Sequence, residues 1–107
     1  MRGKEELTAA KYSRLVSDLR AAVFEGSGRI DSAVRQSAAT GEALSEPWLS
    51  YTAKVRDEPW GLTDSDIENL KAAGHGEDEI FEMTVAAAVG ASLYALDVGL
   101  RTLHAAD

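Results

Sequence analysis

Hydrophobic positions along this chain recur at helical spacing, and nowhere at the every-second-residue spacing of a half-buried strand. Tyr12, Leu15, Val16, Leu19 and Val23 fall at i, i+3, i+4, i+7 and i+11, which predicts a helix over about residues 5–24 with a solvated opposite face. Gly26 and Gly28 are placed to end it in the left-handed conformation. Ile30, Val34 and Ala38 predict a short second helix over about 31–39. In GEALSEPW, Ser45 reads as an N-cap, and Pro47 suits a first turn, where its missing N–H costs nothing. The third helix then turns Trp48, Leu49, Tyr51, Thr52 and Val55 inward. It stops at Asp57-Glu58-Pro59, because the residue before a proline is pushed out of the helical region.

The fourth helix carries the clearest local signal. Thr63 is its N-cap, Asp66 the reciprocal capping-box partner, and Leu62 and Ile67 form a hydrophobic staple; Gly74 ends it. The fifth reads EDEIFEMTVAAAVGASLYALDVGLRTLH over 77–104, with three acids in its first turn to complement the helix dipole. From Thr84 to Leu96 it has no charge, and apolar or small residues occupy every side of the wheel. That pattern predicts a core helix buried on most of its circumference. Ala87, Ala91, Ala95 and Gly99 form a stripe of small residues along which another helix can approach closely. At about 1.5 Å per residue the segment spans roughly 40 Å, long for a compact domain, so it is expected to reach a partner subunit. The fold class that follows is all-α, about five helices with a long Ala-rich C-terminal one, in a single domain over residues 1–107.

Charge and composition narrow the chemistry. The 107 residues include no cysteine, which excludes a thiol nucleophile, a thiolate metal site and a redox dithiol from this chain's own side chains. The net charge of -7 is uneven, with nine Lys or Arg against seven Asp or Glu in residues 1–56 and two against eleven in residues 57–107. The acidic half repels phosphate, so no nucleic-acid partner is expected. The uncharged run is bounded by Glu82 and Asp97, short of the roughly 18–20 apolar residues of a bilayer span, and the first residues have no signal-type apolar core. No membrane association is expected, and the cytoplasm is the default compartment.

The run LTDSDIENLKAAGHGEDEIFEMTVAAAVGASLYALDVGLRTL, with its capped short helix ending in AAG, acidic GEDEI opening and long Ala-rich helix, resembles the C-terminal half of the alkylhydroperoxidase D-like (AhpD-like), or carboxymuconolactone decarboxylase, superfamily. The resemblance covers roughly residues 51–103. It implies an AhpD-like orthogonal helical bundle whose helices interlock between chains, hence a homo-oligomer through the C-terminal helix. The family's peroxidases carry Cys-x-x-Cys followed by histidine on the helix before the capped one. Here that region reads SEPWLSYTAKVRDEPWG, with neither residue type, so no catalytic residue of those peroxidases carries over. The decarboxylase branch needs no thiol. The expectation is a divergent enzyme or small-molecule binder of that kind, with a non-catalytic oligomerisation or partner-binding module as the alternative.

No residue is assigned as catalytic, and no cofactor or metal is expected. Trp48, Tyr51 and Lys54 are the candidate binding residues, on the helix where the family keeps its active site; a pocket lysine there could hold a small carboxylated ligand. The competing reading is an apolar Trp/Tyr face edged by a lysine whose stem lies along it. His75 reads as a surface turn residue and His104 as a helix C-terminal cation. Asp97 and Arg101, four apart, read as an intrahelical ion pair at the edge of the core. The acids from Asp64 to Glu82 lack calcium-loop spacing and belong to two helix N-termini.

Overall fold

The structure, a computed structural model, describes the backbone of residues 2–106 and the side-chain environment of residues 10–105. Among the described residues there are five α-helices and no strand: α1 (Arg2–Arg20), α2 (Ser32–Ala38), α3 (Trp48–Asp57), α4 (Asp64–Ala72) and α5 (Glu77–Ala106). A π-helical turn, Ala21–Glu25, continues α1, and a 3-10 turn, Pro59–Gly61, follows α3.

The local signals act largely as the sequence implies. Thr63 N–H donates to Asp66 Oδ2 at 2.8 Å at the start of α4, and Gly74 takes φ +97° past its end. At α3 the cap is different. Pro47, not Ser45, occupies the N-cap, and Glu46 supplies the capping oxygens, accepting from the Ser50 hydroxyl at 2.6 Å and its N–H at 3.3 Å. Gly26 is extended, with φ -66° and ψ 161°, so α1 does not end in a left-handed glycine there.

The first half of α5 is the centre of the core. Ile80, Met83, Ala86, Ala87 and Leu93 are buried, and with them cluster Phe24 from the π turn, Ile30 from the connection to α2, Ala38 from α2, Trp48, Tyr51 and Val55 from α3, and Leu70 from α4. Full burial of a side chain such as Leu70 or Met83 contributes about 1.5–3 kcal/mol each. Leu49, expected inside, is exposed because it lies on the side of α3 turned away from α5.

The expectation of a helix buried around most of its circumference holds only for that first half. From Tyr94 to Ala105 every residue of α5 is exposed, including Tyr94, Leu96, Val98, Leu100 and Leu103. Among the described residues, the parts of α5 that join the buried core end at Leu93. The small-residue stripe divides likewise: Ala87 is buried, Ala91 half-buried, and Ala95 and Gly99 exposed. The tight helix approach within the chain is made at Gly90, one position off the stripe. A Cβ built there would stand 2.4 Å from Ala39 Cβ and 2.6 Å from Ala39 Cα. On α1, Tyr12, Leu15 and Leu19 are also exposed, and among its described side chains only Val16 packs against the core.

Candidate functional site

Trp48 and Tyr51 of α3 are brought together, edge to face with ring centroids 6.3 Å apart, and both are buried. Their polar atoms are used inside the fold. Thr84 Oγ1 donates to Ile80 O at 2.6 Å, so its oxygen is left to accept from the Tyr51 hydroxyl, also at 2.6 Å. This bond ties α3 to α5 across the core. Trp48 meets His75 on its other side, with centroids 4.4 Å apart and planes tilted by 40°. His75 is therefore half-buried against an indole and not a simple surface turn residue; the chain reversal at Gly74 carries its ring back over α3.

Lys54 lies apart from the two aromatics. Its Nζ donates to Asp66 Oδ2 at 2.8 Å, the same oxygen that caps α4. The Lys54 ammonium, then the Thr63 N–H, hold the Asp66 carboxyl below its usual value of 3.8. Asp66 is thus the junction between α3 and α4. Sequence spacing gave the cap but not the lysine, which comes from twelve residues away.

A second polar cluster escaped sequence reasoning altogether. Arg35 is 5% exposed, and its guanidinium is held by backbone carbonyls. It donates to Ile30 O at 3.1 Å, Val23 O at 2.8 Å and Gly26 O, so it satisfies carbonyls of the π turn and of the connection from it to α2. Opposite it, both oxygens of Glu82 accept backbone N–H groups, from Arg29 at 2.8 Å and Ile30 at 2.7 Å. The Arg29 N–H is the main cause, with the Ile30 N–H and the charges of Arg35 and Arg29 adding to it, of a Glu82 carboxyl held below its usual 4.5. Gly28 lies against the same carboxylate, where a Cβ would come within 2.7 Å of Oε1. The Arg35 and Glu82 contacts together fix the α1–α2 connection on α5. An arginine in VRQS and a glutamate in IFEM carry no local signal of this, because the contacts span 5 to 53 residues.

Two clefts lie elsewhere. One, of about 540 Å³, sits at the start of α5 between Arg29 and Gly76–Glu79. The other, of about 580 Å³, is lined by Arg20, Ala39, Arg56, Gly90, Leu93 and Tyr94, among others. Neither is lined by Trp48, Tyr51 or Lys54. Among the described residues no three His, Asp or Glu side chains converge in a metal-binding arrangement, and Asp97 and Arg101 form their ion pair in the open, with side chains more than half exposed.

Exposed apolar surface is the remaining feature. Within α5, over Glu77–Ala105, an 18-residue stretch has a mean hydropathy of 1.5, so by length and composition alone the helix could cross a membrane, although its uncharged run is shorter. Only 22% of the residues in that stretch are fully buried, and its large apolar side chains beyond Leu93 are exposed. No protein-family model, curated protein or solved structure matches the chain.

Proposed function

We propose that this chain is a self-associating all-α module, AhpD-like in organisation and without thiol peroxidase chemistry, whose α1 and distal α5 are covered by further copies of itself. The observation that carries the proposal is surface area. A compact monomer of 11.4 kDa exposes roughly 5,800 Å², whereas this chain exposes 7528 Å². The excess, roughly 1,700 Å², is on the scale of what one chain of an obligate dimer buries. The radius of gyration agrees, at 16.3 Å against about 13 Å for a compact chain of this length. Most of the exposed large apolar side chains lie on α1, at Tyr12, Leu15 and Leu19, and on α5 beyond Leu93, at Tyr94, Leu96, Val98, Leu100 and Leu103.

The alternative, a small-molecule site at Trp48, Tyr51 and Lys54, requires breaking the Trp48–His75 contact and the Lys54–Asp66 ion pair to admit a ligand. Self-association breaks no internal contact. It also suits Asp97 and Arg101, which a lipid-facing helix would hold in hydrocarbon at a cost of about 2.5–3.5 kcal/mol per charge near the bilayer centre.

Sedimentation and light scattering over a range of concentrations test this, with vesicle flotation alongside. The expected result is a mass of two chains or more at micromolar concentration and no flotation with the vesicles. A single-chain mass at high concentration, or transfer of the protein to the vesicle fraction, would overturn the proposal.

A further inference from the structure

Along α5, Ala86, Val89, Leu93, Leu96, Leu100 and Leu103 are spaced 3, 4, 3, 4 and 3 apart, the spacing of a coiled-coil seam. The first three are buried or half-buried in the chain's own core, and the row then continues without a break into Leu96, Leu100 and Leu103, which are 45%, 44% and 59% exposed. A knobs-into-holes surface that begins inside one chain therefore runs on uncovered. Asp97, Arg101 and His104 fall together on a different strip of the wheel, and Tyr94 also lies off the row, so no charged or titratable residue described in this half interrupts it.

The row is also self-complementary. Turned end for end about a point midway between residues 96 and 100, it places Leu96 on Leu100 of a second copy and Leu103 on Leu93, the residue at which the row enters the core. A pair related by a two-fold axis perpendicular to the helices uses this symmetry, whereas in a parallel pair the two-fold runs along the helices and sets each leucine beside its own copy. Electrostatics point the same way. A parallel arrangement would bring together the Glu77, Asp78 and Glu79 turns of two chains that each carry -7, and would align the two helix dipoles side by side.

We infer that distal α5 pairs antiparallel with distal α5 of a second copy through Leu96, Leu100 and Leu103, with the two globular bodies at opposite ends. This rests on the self-association proposed above and adds its interface and orientation. In such a pair, two residues at position 77 are separated by about 60 Å along the helix axis, at about 1.5 Å per residue from the two-fold.

The native chain has no cysteine, so a single Glu77→Cys substitution accepts a spin label at a unique and exposed site. Pulsed dipolar spectroscopy on the oligomer is expected to give a separation beyond about 45 Å. A shorter distance in a protein that still sediments as an oligomer would overturn the antiparallel arrangement and leave self-association standing. A single-chain mass for wild type would overturn both. Leu100→Asp is expected to weaken association at least tenfold with helical circular dichroism unchanged. An oligomer of wild-type strength in this variant would remove the leucine row from the interface. Should Leu100→Asp lose its helicity, Leu100→Ser, with the same expected direction, replaces it as the test.

Discussion

The same chemical change, glycine to alanine, is expected to have opposite signs at two positions nine residues apart on α5. In a helix interior, alanine is favoured over glycine by about 1 kcal/mol. At Gly99 nothing lies within 4 Å of the added methyl, so Gly99→Ala is expected to raise the stability of the monomer by about 0.5–1 kcal/mol. At Gly90 the new Cβ would stand 2.4 Å from Ala39 Cβ, 2.6 Å from Ala39 Cα and 3.3 Å from Ala39 O. Carbon atoms pack at about 3.5–4.0 Å, so the end of α2 must move by roughly 1 Å against α5, and two of the three obstructing atoms are backbone. Overpacking of that kind costs about 1–3 kcal/mol, occasionally more, which outweighs the propensity gain. Gly90→Ala is expected to be destabilised by up to about 2 kcal/mol, or a melting temperature lower by up to roughly 16 °C. Urea unfolding at one low protein concentration measures both variants without the contribution of association. Adding Ala39→Gly to Gly90→Ala should recover only part of the loss, because the backbone of residue 39 still stands too close to the new methyl. A Gly90→Ala protein as stable as Gly99→Ala would refute the close approach of α2 to α5.

The other expectations concern the buried polar contacts. Tyr51→Phe removes the donor to Thr84 Oγ1 but leaves the Thr84 hydroxyl bonded to Ile80 O, so the expected loss is about 1 kcal/mol in chemical denaturation; a loss above about 3 kcal/mol would mean the hydroxyl does more than join α3 to α5. Leu70→Ala, at a site 1% exposed, should cost about 2–5 kcal/mol in the same assay. The folded-state values of Asp66 and Glu82 are both lowered, so the unfolded chain binds more protons in the acid range. Their contribution is therefore fully present above the ordinary carboxylate values of 3.8 and 4.5 and is lost as pH falls through the lower folded values. Thermal midpoints should fall on acidification below about pH 5, and Glu82→Gln should flatten that slope while lowering stability at neutral pH. An unchanged slope in Glu82→Gln would show that its two N–H contacts do not persist in solution.

The periodic pattern and the breakers determined the helices on their own. Tyr12 to Val23 is helical because its apolar residues share a face, and α4 starts at Asp64 because Thr63 and Asp66 can satisfy each other's orphan groups locally. Helix existence is a property of neighbours within about four residues, and those neighbours are in the sequence. The Trp48, Tyr51 and Val55 face was legible for the same reason.

What the tertiary structure decided is which of the helical surfaces are covered and what each polar group meets. The composition of α5 reads as core throughout, yet the other helices extend only far enough to bury its first half, and the small-residue stripe lies one position from the glycine where helices touch. Lys54 finds Asp66; His75 finds Trp48; Glu82 and Arg35 fasten the α1–α2 connection. Each of these depends on groups made adjacent by chain reversal between helices. Local periodicity fixes the angle at which a side chain leaves its helix. It contains no information about the length or placement of the helix that arrives opposite.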